Sequence, residues 1–162
     1  MSGDVRARVE ALLASQRVMT LTSSGADGPW AAPVFYAEHF EPSLAWLVFV
    51  SAPSSRHCTE LAADARAAAA VYDGADDWRT IRGVQIAGRV LALAGDEQAR
   101  AQATYARRFP QIGDPAQAPE PIARAFARVR WFALQIERAF LTDNTVSFGQ
   151  REEVVYEGSG GG

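Results

Sequence analysis

Residues 44–57, LAWLVFVSAPSSRH, carry the strongest fold signal in this chain. The first part, Leu44–Ser51, is apolar at nearly every position, which predicts a strand buried on both faces. Ser54 and Ser55 follow, and either hydroxyl can cap a helix that runs on to Ala63. The segment therefore predicts a central strand that leads directly into the start of a helix.

The residues before this segment predict a helix and a hairpin. Val5, Val9, Leu12 and Leu13 recur at helical spacing, so a short amphipathic helix opens the chain, with Asp4 as its N-cap. Strand patterns follow in two segments separated by a Gly-rich turn, Arg17–Ser23 and Trp30–Ala37. Pro33 cannot donate to a ladder, which places its strand at an edge or beside a bulge. A loop is expected over His39–Ser43.

Downstream of the helix, strand patterns return and dominate. Four segments read as strands: Ala67–Asp73, Thr80–Ala94, Val129–Leu141 and Val146–Tyr156. Gly83 and Gly88 mark bends in the longest of them. A helix opens at Gly95-Asp96 and is ended by Pro110, a Pro-rich irregular stretch follows, and a short helix is predicted over 122–127.

About six strands with a few peripheral helices predict a mainly β fold. Because the helices are not regularly interleaved with the strands, a closed or nearly closed antiparallel barrel is favoured over a doubly wound sheet. We expect one domain over residues 1–157 and a disordered Gly/Ser tail over 158–162.

Composition excludes several classes of function. The chain has 162 residues and a net charge of −3, which argues against a nucleic-acid-binding protein. It contains no Lys, so neither a Schiff base nor a P-loop is available. Cys58 is the only cysteine, no apolar run reaches membrane-spanning length, and no signal-peptide pattern is present. We expect a cytoplasmic protein without nucleic-acid or membrane partners.

The helix start after the buried strand is the first candidate site. The free N–H groups and the positive dipole at a helix start attract anions. Ser54 and Ser55 add hydroxyls, Arg56 adds a fork of donors suited to phosphate, and His57 adds a further donor. An ordinary capped helix with exposed polar residues is the alternative.

Two further polar segments lie on strands or turns. If the strand is regular, Arg79, Gly83 and Gln85 share one face and Arg82 lies on the other. Gln85 needs a partner if it is buried, and a glutamine bonded to backbone at a barrel rim is the simpler interpretation. The segment Thr142–Arg151 is predicted to be a tight polar turn between strands.

Metal binding and cysteine catalysis are not expected. His39, His57 and Cys58 are too few and wrongly spaced for a zinc site. His57 and Cys58 are neighbours on a helix and point in different directions, so a core cysteine is favoured over a nucleophile–base pair.

Taken together, these motifs resemble the FMN-binding split-barrel family, the relatives of pyridoxamine 5′-phosphate oxidase. Ser55-Arg56-His57 occupies the position at which that family has a Ser-Arg-Lys run that binds the FMN phosphate. The chain is similar to a small bacterial branch of uncharacterised split-barrel proteins. It shares with that branch the segments Ile81–Gln85, Tyr105–Pro110 and Thr142–Gly149. The resemblance spans about Val5 to Val155 and implies a six-stranded antiparallel split β-barrel.

The resemblance also implies a site and a partner. It implies FMN bound at the interface of a homodimer, and contacts from residues on the strands, the helix start and the last turn. The implied cofactor-binding residues are Pro33, Val34, Phe35, Val50, Ser51, Ser54, Ser55, Arg56, His57, Arg82, Gln85, Asn144, Thr145 and Arg151. No catalytic residue is implied.

Three functions follow from these observations. The first is an FMN-dependent oxidoreductase acting on an unknown small substrate. The second is a non-enzymatic binding protein for haem or another flat ligand, with His39 or His57 as axial ligand. The third is a barrel without a cofactor that acts through protein contacts.

Overall fold

The strand predicted over residues 44–51 is the fourth of eight strands in one antiparallel sheet. The computed structural model describes residues 4–113 and 116–156, so the tail predicted over 158–162 lies outside the described residues. The helices are α1 (Val5–Ser15), α2 (Arg56–Ala63), α3 (Gly95–Arg108), α4 (Pro110–Gly113) and α5 (Glu120–Phe126). The strands are β1 (Val18–Gly25), β2 (Gly28–Phe35), β3 (Ala37–Glu41), β4 (Leu44–Ser51), β5 (Arg66–Tyr72), β6 (Arg82–Ala92), β7 (Arg130–Asp143) and β8 (Arg151–Val155).

The sheet is organised around the two long strands β6 and β7. Its order is β2-β1-β5-β6-β7-β4-β3, and β8 pairs with β7 as well. β7 has fourteen residues, so β4 pairs with its first half and β8 with its second half. The predicted mainly β, antiparallel fold with peripheral helices is confirmed, but the sheet has eight strands rather than six.

Seven segments were predicted as strands, and the additional strand, β3, arises because the chain bends at Tyr36. The side chain of Tyr36 is fully buried, and its hydroxyl donates to the carbonyl of Leu13 at 2.6 Å. This anchor ends β2 at Phe35, and a new strand starts at Ala37. The loop predicted over His39–Ser43 is therefore wrong for its first half, since residues 37–41 pair with β4. Pro33 does lie on an edge strand, as predicted.

One of the two predicted glycine bends is present. The β6–β7 register shifts between Ala87 and Gly88, so Gly88 sits at a bulge. A Cβ at Gly88 would lie 2.0 Å from the carbonyl oxygen of Gln135, so the bulge requires glycine. At Gly83 the register is continuous. Arg79 does not belong to this strand, because it lies in a 3₁₀ turn, Trp78–Thr80, before β6.

The core has two parts, one on each side of β4 and the first half of β7. Inside the barrel, Phe49 and Phe132 stack with their ring centroids 5.3 Å apart. On the other face, Trp46 and Trp131 pack against α3, where Tyr105 meets Trp131 edge-on at 5.4 Å. β4 is buried on both faces, as predicted, and Ser51 at its end reaches the rim of the barrel.

None of the helices in the described part of the chain is long and apolar enough to span a membrane.

Candidate functional site

The start of α2 brings together two hydroxyls and an imidazole. Ser55 is the N-cap, and its Oγ accepts from the backbone N–H of Cys58 at 3.4 Å. Nε2 of His57 lies 2.7 Å from Oγ of Ser51 and 3.3 Å from Oγ of Ser55. Ser51 reaches this point because β4 ends there, four residues before the cap. The strand end and the helix start thus form one half-buried polar cluster.

Burial favours the uncharged form of the His57 imidazole in this cluster. Burial lowers the pKa of the imidazole, and the nearby carboxylate of Glu60 opposes that shift only in part. A neutral imidazole offers one donor and one acceptor, so it can hydrogen-bond an anion without adding charge.

Arg56 is held beside this cluster by three contacts. Its Nε donates to Oε1 of Glu60 at 2.8 Å, one turn along the helix. Its guanidinium lies over the indole ring of Trp30, 4.4 Å from the ring centroid, and one terminal nitrogen lies 3.5 Å from the carbonyl oxygen of Gly28. The side chain is 36% exposed, so it remains open to a ligand.

Glu60 and Trp30 are parts of this site that the sequence analysis missed. Glu60 accepts from Oγ of buried Ser23 at 2.6 Å, and this bond, with that from Arg56, lowers its pKa. The spacing of Arg56 and Glu60 on α2 is a signal that could have revealed the ion pair. Nothing local in the sequence shows that the β1–β2 hairpin brings Trp30 to the same place.

Other predicted residues lie on the strands around the cluster. Pro33 and Phe35 are exposed on edge strand β2, whereas Val34 between them is buried in the barrel core. Val50 packs against the second part of the hydrophobic core, under α3, and therefore points away from the barrel interior. Ser54 is exposed in the turn before the cap. For Val34 and Val50 the structure shows a packing role.

A second group of predicted residues lies where β6, β7 and β8 meet. Arg151 donates to Oε1 of Gln85 at 3.3 Å, and its guanidinium lies 4.8 Å from the ring centroid of Phe140. Gln85 is exposed on the outer face of the sheet, so it is not a buried glutamine in need of a partner.

The turn after β7 is built by Asn144 and Thr145. The amide of Asn144 donates to the carbonyl of Trp78 at 2.7 Å, which ties this turn to the one before β6. Thr145 donates from both its backbone N–H and its hydroxyl to Oδ1 of Asp143. The predicted tight polar turn is present, and these two residues hold it together.

Arg82 is paired within the same region, with Asp73. No hydrogen bond or ion pair among residues 4–113 and 116–156 joins these residues to the cluster at the start of α2.

His39 is committed to structural contacts. Its Nδ1 lies 2.8 Å from Oγ1 of buried Thr104 on α3, and its Nε2 lies 2.9 Å from a carboxylate oxygen of Glu41. Both ring nitrogens are thus occupied. Within the described residues no group of three or more His, Cys, Asp and Glu side chains is arranged to hold a metal ion. Cys58 is buried, as expected of a core cysteine.

Comparison with known proteins places this architecture in a family. The family model for pyridoxamine 5′-phosphate oxidase matches residues 5–143. A UPF0306 protein of Klebsiella pneumoniae is 31% identical over 148 residues, which is 91% of each chain. The chain belongs to the pyridoxamine 5′-phosphate oxidase-like split-barrel family. Within it, the chain groups with the uncharacterised bacterial UPF0306 proteins.

Solved structures at low identity share the fold of the family. A haem-binding protein of Mycobacterium smegmatis superposes with a TM-score of 0.71 at 20% identity, over 98% of this chain and 61% of that protein. An FAD-binding protein of Mesorhizobium loti superposes with a TM-score of 0.61 at 18% identity, over 83% of this chain and 89% of that protein. Proteins with this fold thus bind both flavins and haem.

The cluster at the start of α2 fits the phosphate end of a flavin, which proteins of this family often bind. The backbone N–H groups of Arg56 and His57 begin the helix, where the helix itself supplies no acceptor. Two hydroxyls, a neutral imidazole and a partly exposed guanidinium surround them. The donor set is that of an anion site, although Glu60 neutralises much of the charge of Arg56.

Proposed function

We propose that this chain is an FMN-binding flavoprotein that acts as a homodimer and oxidises or reduces a small substrate. The observation that carries the proposal is the polar cluster of Ser51, Ser55, Arg56 and His57 at the start of α2. The family match and the FAD-binding neighbour support a flavin. A cytoplasmic location, with which the single cysteine is compatible, is part of the same proposal.

In this proposal, the chain's own residues bind and orient the cofactor. The flavin supplies the hydride or electron transfer when it is bound. Ser51, Ser55 and the first N–H groups of α2 donate to phosphate oxygens. Arg56 supplies charge and is aimed by its stack on Trp30. His57 takes up a proton as the anion arrives, because a negative charge beside the imidazole favours its charged form.

The outer face of the sheet supports the homodimer. Register places Pro33, Thr20, Ala70, Gln85 and Phe140 side by side in one row across five strands. Beside this row, four large apolar side chains on the same face are 44–64% exposed: Val18, Phe35, Tyr72 and Val155. Large exposed apolar side chains grouped on one face are typical of a protein–protein interface.

The proposal is tested by the visible spectrum of the purified protein and by titration with FMN. We expect oxidised-flavin bands, or quenching of FMN fluorescence that saturates near one FMN per chain. Arg56→Gln should weaken FMN binding at least tenfold, because a charge-assisted bond to phosphate is lost. Arg66→Gln is the matched control, since Arg66 is exposed and pairs with Asp64, away from the start of α2. Wild-type protein that leaves FMN fluorescence unchanged would contradict the proposal.

Haem binding is the alternative that a specific observation favours. The haem-binding neighbour of Mycobacterium smegmatis shares the fold, and the neutral imidazole of His57 is in the protonation state that binds iron. His39 is a poorer ligand because Thr104 and Glu41 occupy both of its ring nitrogens, whereas the bonds of His57 within residues 4–113 and 116–156 are to Nε2 and leave Nδ1 open. Addition of haemin should then give a Soret shift that disappears in His57→Ala but persists in His39→Ala. If both variants keep the Soret band, neither histidine is the axial ligand.

A further inference from the structure

A cavity of about 430 Å³ lies under α3, on the opposite side of β4 from the barrel core. Its walls come from the end of β6, one face of α3, the end of α5 and the start of β7. The volume falls within the range of small-molecule sites, about 300–1,000 Å³. The polar cluster at the start of α2 contributes no residue to it.

The floor of the cavity is rigid and aromatic. Trp131 is only 8% exposed and is fixed by an edge-on contact with Tyr105. Phe126 packs beside it, with the two ring centroids 6.3 Å apart, and Leu93 is anchored by its N–H bond to the carbonyl of Trp131 at 2.9 Å. A flat apolar group can lie on such a surface with little reorganisation of the protein.

The rim of the cavity is polar and largely uncommitted. Gln98 and Gln102 lie one turn apart on α3 and line the cavity together. Neither side-chain amide bonds to another residue in 4–113 or 116–156. Arg130, at the start of β7, also lines the cavity, and it forms no ion pair with any described residue. By contrast, the arginines Arg56, Arg66, Arg82 and Arg138 each have a carboxylate partner.

We propose that this cavity binds a small aromatic carboxylate. The aromatic ring lies on Trp131 and Phe126, and the guanidinium of Arg130 takes the carboxylate through its two-pronged donor geometry. Gln98 and Gln102 supply one donor and one acceptor each for ring substituents. Arg130 is exposed, so a neutral aromatic leaves its guanidinium to water and lacks the ion pair, and the charge on the ligand therefore adds to the affinity.

The inference is tested with benzoate as the probe. In ¹⁵N-labelled full-length protein, the indole N–H signal of Trp131, assigned with Trp131→Phe, should shift saturably on addition of benzoate. A ligand of this size should bind with a Kd on the order of 1 mM. Benzyl alcohol, which has the ring without the charge, should bind at least tenfold more weakly.

Two variants distinguish binding of benzoate in the cavity from non-specific attraction to a positive charge. Arg130→Gln should weaken benzoate at least tenfold, whereas Arg128→Gln should leave it unchanged, because Arg128 is exposed and does not line the cavity. The FMN titration is unaffected in both variants if the two sites are separate. No saturable shift up to about 20 mM benzoate, a concentration far above the expected Kd, would overturn the inference. Equal affinity in wild type and Arg130→Gln would overturn it as well.

Discussion

The burial of His57 makes the stability of the fold depend on pH. Its pKa is lowered by burial, so the folded protein binds a proton less readily than the unfolded chain does. Between the folded-state pKa and the ordinary value of about 6.5, the unfolded state therefore holds more protons. The stability that His57 contributes is present above that ordinary value and is lost as the pH falls through the interval.

The matching prediction concerns protein without added ligand. Compared with His57→Gln, the wild type should lose free energy of unfolding as the pH is lowered from about 7.5 to about 5.5. Urea denaturation at each pH gives the difference in free energy of unfolding between the two proteins. The contributions of the carboxylates, which both proteins share, cancel in this difference. If the wild type instead gains stability relative to His57→Gln as the pH falls, His57 gains a charge partner on folding.

Gly88 is a position where a single methyl group decides stability. Because a Cβ there would lie 2.0 Å from the carbonyl oxygen of Gln135, Gly88→Ala must displace the backbone of β6 or β7. We expect a loss of about 3 kcal/mol in the free energy of unfolding. Gly74→Ala is the control, since a Cβ there has nothing within 4 Å. Equal denaturation midpoints for the two variants would refute the steric argument.

Among the elements, those with strong local signals were predicted and those fixed by tertiary contacts were not. β4 was predicted because it is apolar throughout, and α3 because it ends at a Phe-Pro step. β3 was missed because its sequence, AEHFE, has no clean alternation, and its strand structure depends on pairing with β4. The last strand starts at Arg151 rather than Val146, because the bonds of Asn144 extend the turn.

Arg108 joins two elements that are far apart in the chain. It is 14% exposed at the end of α3, donates to Glu38 at 2.8 Å, and bonds to the carbonyls of Ala14, in the last turn of α1, and Gln16, its C-cap. Burial lowers its pKa, and the carboxylate of Glu38 opposes that shift. The end of α1 therefore depends on a side chain of α3.

Replacing Arg108 should be costly. Arg108→Met leaves Glu38 without its partner and leaves the carbonyls of Ala14 and Gln16 to the longer bonds from exposed Arg17, so we expect a loss of about 3 kcal/mol. Arg107→Met, at the exposed neighbouring position, should change stability by less than about 0.5 kcal/mol. Thermal or urea unfolding compares the two variants. A small loss in Arg108→Met would show that water replaces these bonds.

At the scale of the whole molecule, the outer sheet face should control association. Ala70 lies in the middle of the row that crosses five strands. Ala70→Arg introduces a charge into that face and should shift the protein from dimer to monomer in sedimentation velocity. Ala103→Arg, on the exposed face of α3, should leave the mass unchanged. A wild-type protein that sediments as a monomer would contradict the proposed dimer.

The sequence could predict the parts of the candidate site that depend on local properties, but not those that depend on contacts between distant segments. The order Ser55-Arg56-His57 after a buried strand indicated the helix start, because capping and burial are local properties. The sequence could not show that Arg56 is shared with Glu60 and Trp30, since Trp30 arrives through the hairpin. It also could not separate Val34 and Val50, which pack in the two cores, from neighbours that face outward.

The stack of Arg56 on Trp30 gives the protein a built-in optical reporter. A cation held 4.4 Å from the ring centroid perturbs the excited state of the indole. Any anion that draws the guanidinium away from the ring changes that perturbation. Occupancy at the start of α2 therefore changes the contribution of Trp30 to the emission of the four tryptophans, in protein that carries no added dye.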